Sequence, residues 1–425
     1  MCKKIILSLL ALSMVATLGI IYAKKKPAYV YHFPVSIDSP EKIEEDFQKQ
    51  VSFYQKRLKR NPTSFQDTAI MAQLYAAQGK NNGLKNYFQI AQNYAFKSIH
   101  YVHFFNTAAY FILADIALEE HQFPKSIVYA QRILREKPRS PEAFLILVKA
   151  HLALGNLVEA NHYADELINV MPSESAYTFR AIVLSNQGRD EEAILDFEEA
   201  LKVEEDNPVQ ASFTRVMYAR FYIANYNSKK GSLNFAEDLL KEALRITPTS
   251  HLALGLTGVF FEKDNSNYKA AIKFYKAAFS ESKQLIYILK EARAHKFLGE
   301  EEFAQALYKQ TETLLRDDLR KNKSAHSNDL IRLLLERGNS KDYPEAMRLA
   351  FNERKIRGNP ETLILLSWAL EMNNHLIEAR RVVRDVLAKN YRSDEIYIRA
   401  ISIEDKLKNS NLAKLYRNNL LTSSL

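Results

Sequence analysis

"NQGRDEEAILDFEEAL" runs from Asn186 to Leu201 and holds Asp190, Glu191, Glu192, Asp196, Glu198 and Glu199. On a helix, Glu192, Asp196 and Glu199 fall at i, i+4 and i+7, on one face. Three carboxylates on one face could hold a hard cation or do acid–base work. They could also be the wet side of a structural helix. The other residues of the stretch decide between these readings. Gly188 marks a turn, and Ala193, Phe197 and Ala200 give a small–aromatic–small packing face at helical spacing. Glu192, Asp196 and Glu199 are rotated away from that set, which predicts a solvated face. Glu191 and Glu192 also sit in the first turn, where the helix dipole favours carboxylates. A calcium or magnesium site would want a turn-forming loop with alternating oxygen ligands, and none is spelled here.

The same face recurs along the chain. "LGNLVEANHYADELINVMP" (154–172) carries Gly155, Ala160, Ala164, Leu167 and Pro172. With the place of Ala193 as the mark, the series is Leu84, Ser126, Ala160, Ala193, Ala236, Ala271, Ala304, Ala346, Ala379 and Ala413. The steps are 42, 34, 33, 43, 35, 33, 42, 33 and 34 residues. Six of the nine lie between 33 and 35, which chance would not produce. The segment 65–98 repeats the theme with Ala72, Tyr75, Gly79, Phe88 and Ala91, and 285–318 with Ala292, Gly299, Ala304 and Tyr308.

On these residues the chain resembles the tetratricopeptide repeat, a helix–turn–helix unit of about 34 residues. The resemblance covers roughly residues 60–420. Single repeats depart from it: Asp190 stands where an aromatic is usual, "NSKKG" (227–231) lengthens one turn, and the repeats near 326–359 and 394–421 are degenerate. The resemblance implies an all-α fold, a right-handed superhelix (α-solenoid) of about ten helix–turn–helix repeats. It also implies that the first helix of each repeat lines the concave side. The physics agrees: two antiparallel helices cross closely only where small residues face each other, as Ala181 would face Ala193. A single hairpin cannot bury its apolar side alone, so repeats must stack.

Bulk composition fits. The chain has 425 residues, 47% of them hydrophobic, with 11 Gly and 12 Pro. So few breakers, and no long alternating runs, point to long helices with short turns. The formal charge is +9, but five lysines and no acids lie in the first 26 residues, leaving +4 for the body. That is too weak a signal to imply nucleic acid. The one cysteine, Cys2, excludes an internal disulfide and any cysteine-based zinc site.

At the N-terminus an uncharged run, Ile5–Ala23, is flanked by Lys3 and Lys4 and by Lys24, Lys25 and Lys26. Nineteen residues at about 1.5 Å each would reach about 28 Å, near the thickness of a bilayer core. Ile21 at the minus-three place of the best cleavage site is a poor match to a cleavable signal. The expectation is a single-pass anchor through residues 5–23 with the repeats on the extracytoplasmic side. The alternative is a secreted or periplasmic chain after cleavage. The organisation read from the sequence is a signal anchor or signal peptide at 1–26, a linker at 27–39, an N-terminal capping helix at 40–60, and the superhelix at 61–425. Ser39 would cap that first helix, and Ile43, Phe47, Val51, Tyr54 and Leu58 would form its apolar stripe.

Chemistry-bearing motifs are scarce. His100 and His103 lack a third ligand nearby in sequence, while His151 and His295 take a position where packing is expected. There is no G-x-S-x-G and no Gly-rich phosphate loop. The basic run "QKRLKR" (55–60) closes a helix, where cations complement the dipole. The reading is a non-enzyme without cofactor, metal or small-molecule substrate. Function then falls to the concave side. One inner row is Phe111, Leu145, Thr178, Val216, Gly255, Leu289 and Ile364; a second, four residues on, is Asp115, Lys149, Ile182, Arg220, Val259, Arg293 and Trp368. Of these, Phe111, Leu145, Lys149, Arg220, Leu289, Arg293, Ile364 and Trp368 are the candidate groove for a partner peptide or helix. The expected role is a membrane-tethered scaffold that recruits a protein. The alternative is a non-catalytic accessory subunit of an envelope assembly, secretion or polysaccharide-synthesis complex.

Overall fold

A computed structural model describes residues 40–82, 85–205, 212–225, 232–264, 266–321 and 326–421. The apolar run at 5–23, the linker, Ser39 and the turn at 227–231 lie outside the described residues. The chain divides into two compact parts, Met1–Asp46 and Phe47–Leu425, and the superhelix lies in the second. Among the described residues there are 21 α-helices, one short 3-10 turn and no strand. None of these helices is long and apolar enough to cross a membrane.

Helix α1 (Pro40–Arg60) precedes ten helical hairpins. In order these are α2 (Phe65–Asn82) with α3 (Lys85–Tyr101), α4 (Thr107–Glu119) with α5 (Phe123–Glu136), and α6 (Pro141–Leu154) with α7 (Leu157–Val170). Next come α8 (Glu174–Asn186) with α9 (Asp190–Glu205), α10 (Ser212–Ala224) with α11 (Leu233–Ile246), and α12 (His251–Lys263) with α13 (Tyr268–Ser282). The last four are α14 (Leu285–Phe297) with α15 (Glu301–Lys321), α16 (Ser327–Arg337) with α17 (Tyr343–Ile356), α18 (Pro360–Met372) with α19 (Leu376–Ala388), and α20 (Asp394–Lys406) with α21 (Ser410–Leu421). The long second helices α3, α9 and α15 have 17, 16 and 21 residues. The long steps in the sequence ruler start from these helices and so fall at every third repeat.

Local chemistry sets the helix starts. Ser140, Ser173, Ser232, Ser250 and Ser393 each accept a hydrogen bond from the backbone N–H three residues on. These caps satisfy donors that the helix itself leaves unpaired. Pro141 and Pro360 follow their caps at the first turn, where a missing N–H costs nothing.

The packing face works as its residue types demand. Ala181 and Ala193 are both fully buried and share a core with Leu184, Phe197, Tyr218 and Phe221. Phe197 leaves its own hairpin and stacks on Tyr218 of the next, with ring centroids 4.7 Å apart. Tyr275 and Tyr308 hold the same position two and three repeats later and are fully buried too. Burying one such ring contributes about 1.5–3 kcal/mol. On α1, Phe47 and Val51 pack with Met71 of the first hairpin and with Tyr54 and Leu58.

The superhelix returns to itself after about six repeats. Gly358 donates its N–H to the Leu154 carbonyl at 3.0 Å. Asn359 Nδ2 donates to the Ala153 carbonyl at 2.8 Å, across 206 residues of chain. The His121 and His326 rings lie 5.7 Å apart, and the Arg357 guanidinium lies 5.9 Å from the Phe123 ring. Each contact joins a hairpin turn of an early repeat to the entry of a late one. Glycine is required where the two turns touch. Gly155 and Gly188 have φ of +80° and +70°. A Cβ on Gly155 would lie 2.7 Å from the Gly358 carbonyl oxygen, and one on Gly188 would overlap the Asn390 carbonyl.

Candidate partner-binding surface

The first helices converge on a common inner wall, because their charged residues meet across several repeats. Arg293 on α14 bonds Glu262 on α12 at 2.6 Å and Glu336 on α16 at 3.4 Å. Arg332 on α16 reaches Glu395 on α20 at 3.0 Å. Lys263, at the end of α12, meets Asp394, at the start of α20, at 2.5 Å. The second helices instead pair with their immediate neighbours, as Arg380 does with Glu404 and Arg316 with Glu345.

Burial disfavours the Arg293 charge, but Glu336 and Glu262 hold the guanidinium charged, with its pKa raised. Burial pushes the Glu395 carboxyl upward, and Arg332 more than reverses it, leaving the group below its usual range. Glu395 nevertheless keeps 43% of its side chain exposed.

Lys290 stands apart. It makes no ion pair and no hydrogen bond among the described residues; its ammonium lies 5.9 Å from the Tyr275 ring. Burial first, then Arg293, push its pKa down to about 8. Arg220 is exposed and is also without a carboxylate partner among the described residues. Around Arg293, the buried Tyr275 and Tyr308 hydroxyls and one oxygen each of Glu262 and Glu336 have no hydrogen-bond partner.

The candidate groove residues divide into two groups. Phe111 is 36% exposed. Leu145 is half-buried beside Phe144 and Leu167. The Lys149 ammonium lies 4.9 Å over the Phe179 ring, and burial lowers its pKa. Each of these, like Arg220 and Arg293, is on a first helix and at least partly exposed. Leu289 and Ile364 are 1% and 2% exposed and belong to the core. So do Thr178 and Val216, and Thr178 bonds Thr214 of the next repeat at 2.7 Å. Trp368 is half-buried, and the Arg399 guanidinium of the following repeat lies 4.6 Å over its ring. Any partner would share that ring with Arg399.

The sequence reading did not single out Lys263, Lys290, Arg332 or Glu395. Lys290 and Arg293, at i and i+3 on one first helix, carried a signal. The return contact that brings α20 to the others carried none.

The acidic stretch is corrected in one residue. Glu192 and Glu199 do face water, but Asp196 is 6% exposed. Arg180 Nε and Nη2 donate to its two oxygens, both at 2.7 Å. Arg180 Nη1 also reaches Asp165 at 3.1 Å. The first helix of the hairpin carries an arginine opposite Asp196, so the position faces its partner helix. With Asn161, Tyr177 and Leu195 these residues line an outer groove of about 610 Å³. Among the described residues no group of His, Cys, Asp or Glu is placed to hold a metal ion. His151 stacks on Tyr163 at 5.5 Å and His295 on Phe303 at 5.9 Å.

No family model and no curated protein matches this chain. Solved structures do. A monomeric mutant of IFIT1 with Gppp-AAAA aligns with a TM-score of 0.51 and 15% identity, over 89% of this chain and 86% of that one. The APC/C hetero-tetramer Cut9–Hcn1 aligns with a TM-score of 0.43 and 11% identity, over 90% and 91%. PilW, a type IV pilus biogenesis factor, gives 0.39 and 16%, over 51% of this chain and 97% of that one. At 15% identity the likeness to IFIT1 extends to the fold alone. The chain is thus an all-α superhelix of about ten helical hairpins, similar in fold to these structures.

Proposed function

We propose that this chain is a protein-binding scaffold whose inner wall takes up a segment of a partner protein. The observation that carries this reading is a set of first helices on which Phe111 is exposed and Arg220 and Lys290 have no ion-paired carboxylate among the described residues. Apolar and cationic groups left open on a rigid, pre-stacked surface reduce the ordering cost of binding. The work we assign to that wall is binding. A protein partner is favoured over nucleic acid because Glu262, Glu336 and Glu395 share the wall with its arginines. We further propose that residues 5–23 tether the scaffold to a membrane with the repeats on the extracytoplasmic side. The length and lack of charge of that run support the tether.

A second reading rests on the outer groove, where Leu195 is 64% exposed above Tyr177 and Arg180. In it the partner docks on the second helices. One experiment separates the two. A photo-reactive phenylalanine is placed at 111 or at 195, and cross-linked proteins from intact cells are identified by mass spectrometry. The inner-wall reading expects capture from 111. Capture from 195 alone would move the site to the outer face. Carbonate extraction of membranes tests the tether, which predicts that the chain stays in the pellet.

A further inference from the structure

The inner wall already holds a carboxylate-bearing segment, supplied by the chain itself. The first turn of α20 delivers Asp394 to Lys263, four repeats earlier, and Glu395 to Arg332, two repeats earlier. For Lys263, Asp394 is the carboxylate in contact; for Arg332, Glu395 at 3.0 Å is nearer than Glu361 at 3.8 Å or Glu336 at 3.9 Å. Tyr391, just before this turn, is close enough to Arg220 and Glu395 to feel both charges. Beside this occupied set, Arg220 and Lys290 have no ion pair among the described residues.

We propose that the cations of repeats five to eight form a recognition site for an extended acidic peptide, and that Asp394 and Glu395 occupy part of it as a built-in competitor. The proposal rests on the scaffold reading and names its partner's chemistry. Carboxylates fit because two already sit there with ion-pair geometry. An extended segment fits because its successive carboxylates can reach cations on successive first helices, from Arg220 through Lys263 and Lys290 to Arg332. A peptide can place neutral residues opposite Glu262 and Glu336, whereas a polynucleotide brings a charge with every phosphate. Displacement also has a route. Asn390, which closes on Gly188, lies four residues before Asp394. Withdrawing the acidic turn therefore loosens the six-repeat closure, so binding and opening are coupled.

The test uses the full-length chain in detergent at low salt, with fluorescence anisotropy of three labelled probes: hexaglutamate, hexaglutamine and a uridine hexanucleotide. Hexaglutamate is expected to bind and hexaglutamine not to. The D394N/E395Q variant is expected to bind hexaglutamate at least tenfold more tightly, and R220Q/K290Q at least tenfold more weakly. Neither Arg220 nor Lys290 has an ion-pair partner among the described residues, so R220Q/K290Q is expected to keep the fold and decides the matter even if D394N/E395Q unfolds. Unchanged hexaglutamate affinity in R220Q/K290Q overturns the proposal. So does a folded D394N/E395Q variant with no gain, or uridine hexanucleotide binding that equals and displaces hexaglutamate. A cellular partner cross-linked from position 111 with equal yield in both double variants would keep the scaffold reading and remove this one.

Discussion

Two kinds of joint hold this molecule together, and they use opposite chemistry. Inside a repeat, Ala181 meets Ala193 and Phe197 reaches across to Tyr218, all in a dry apolar core. Between successive turns of the superhelix, Gly155 and Gly188 meet the backbone at Asn359 and Asn390, and amides bond carbonyls. The first joint links neighbours and recurs along the stack, with Tyr275 and Tyr308 in the place of Phe197. The second links residues about 205 apart and occurs only where the superhelix has completed a turn. Stability in a stacked array is nearly a sum of neighbour terms, so the first joint carries most of it. The second adds little area, yet it brings α20 to the inner wall and so shapes the site.

The largest effect should come from breaking the neighbour joint. Phe197→Ala removes a fully buried ring that bridges two hairpins and should cost about 3–5 kcal/mol. In a urea titration followed by circular dichroism, the midpoint should fall sharply. A small change would mean that the stacking model of stability is wrong for these central repeats.

Next comes the ion pair beneath the acidic face. Asp196→Asn weakens a bidentate bond to Arg180 at a residue that is 6% exposed, and should cost about 2 kcal/mol. Glu192→Gln, four residues away on the same apparent face, should leave the midpoint where it is. Equal midpoints for the two variants would return Asp196 to the solvated set.

The turn-to-turn joint is tested by Gly155→Ala. A side chain at φ +80° costs about 1–2 kcal/mol, and the new Cβ cannot coexist with the Gly358 carbonyl. Helical content should be nearly unchanged while small-angle scattering reports a larger radius of gyration. Loss of helix in proportion to the change in size would show that the two joints are not separable.

The two joints also differed in how far they could be read beforehand. Ala193, Phe197 and the recurring spacing exposed the hairpins, their number and their stacking order, because each repeat must solve the same packing problem. The inner-row residues do fall on first helices, but Leu289 and Ile364 are core. A row one side chain wide cannot be divided between wall and neighbour contact without knowing how far the repeats rotate. Asp196 was misassigned because its partner, Arg180, sits on the other helix of the hairpin. The closure was illegible. It depends on small rotations accumulated over six repeats and on two glycines that read equally well as ordinary turn residues. Lys263 and Asp394 carry no mark that they touch.

The smallest effect is also the most direct probe of the inner wall. Lys290 is a half-buried ammonium with no ion pair or hydrogen bond among the described residues, and its pKa is lowered to about 8. In the unfolded chain it should titrate near the usual value of about 10.4. Between these values the unfolded chain binds more protons at this site than the folded one. Stability attributable to Lys290 therefore rises with pH from about 8 to about 10.4, and below about 8 the desolvated charge is a standing cost. Lys290→Met removes both the cost and the slope. Its urea midpoint should exceed that of the native chain at pH 7.5, and the gap should narrow as pH approaches 10. Other lysines and tyrosines titrate equally in both chains and cancel in the difference. A constant gap across that range would mean that Lys290 is hydrated, and the inner wall would then have no unsatisfied cation at its centre to draw in a partner.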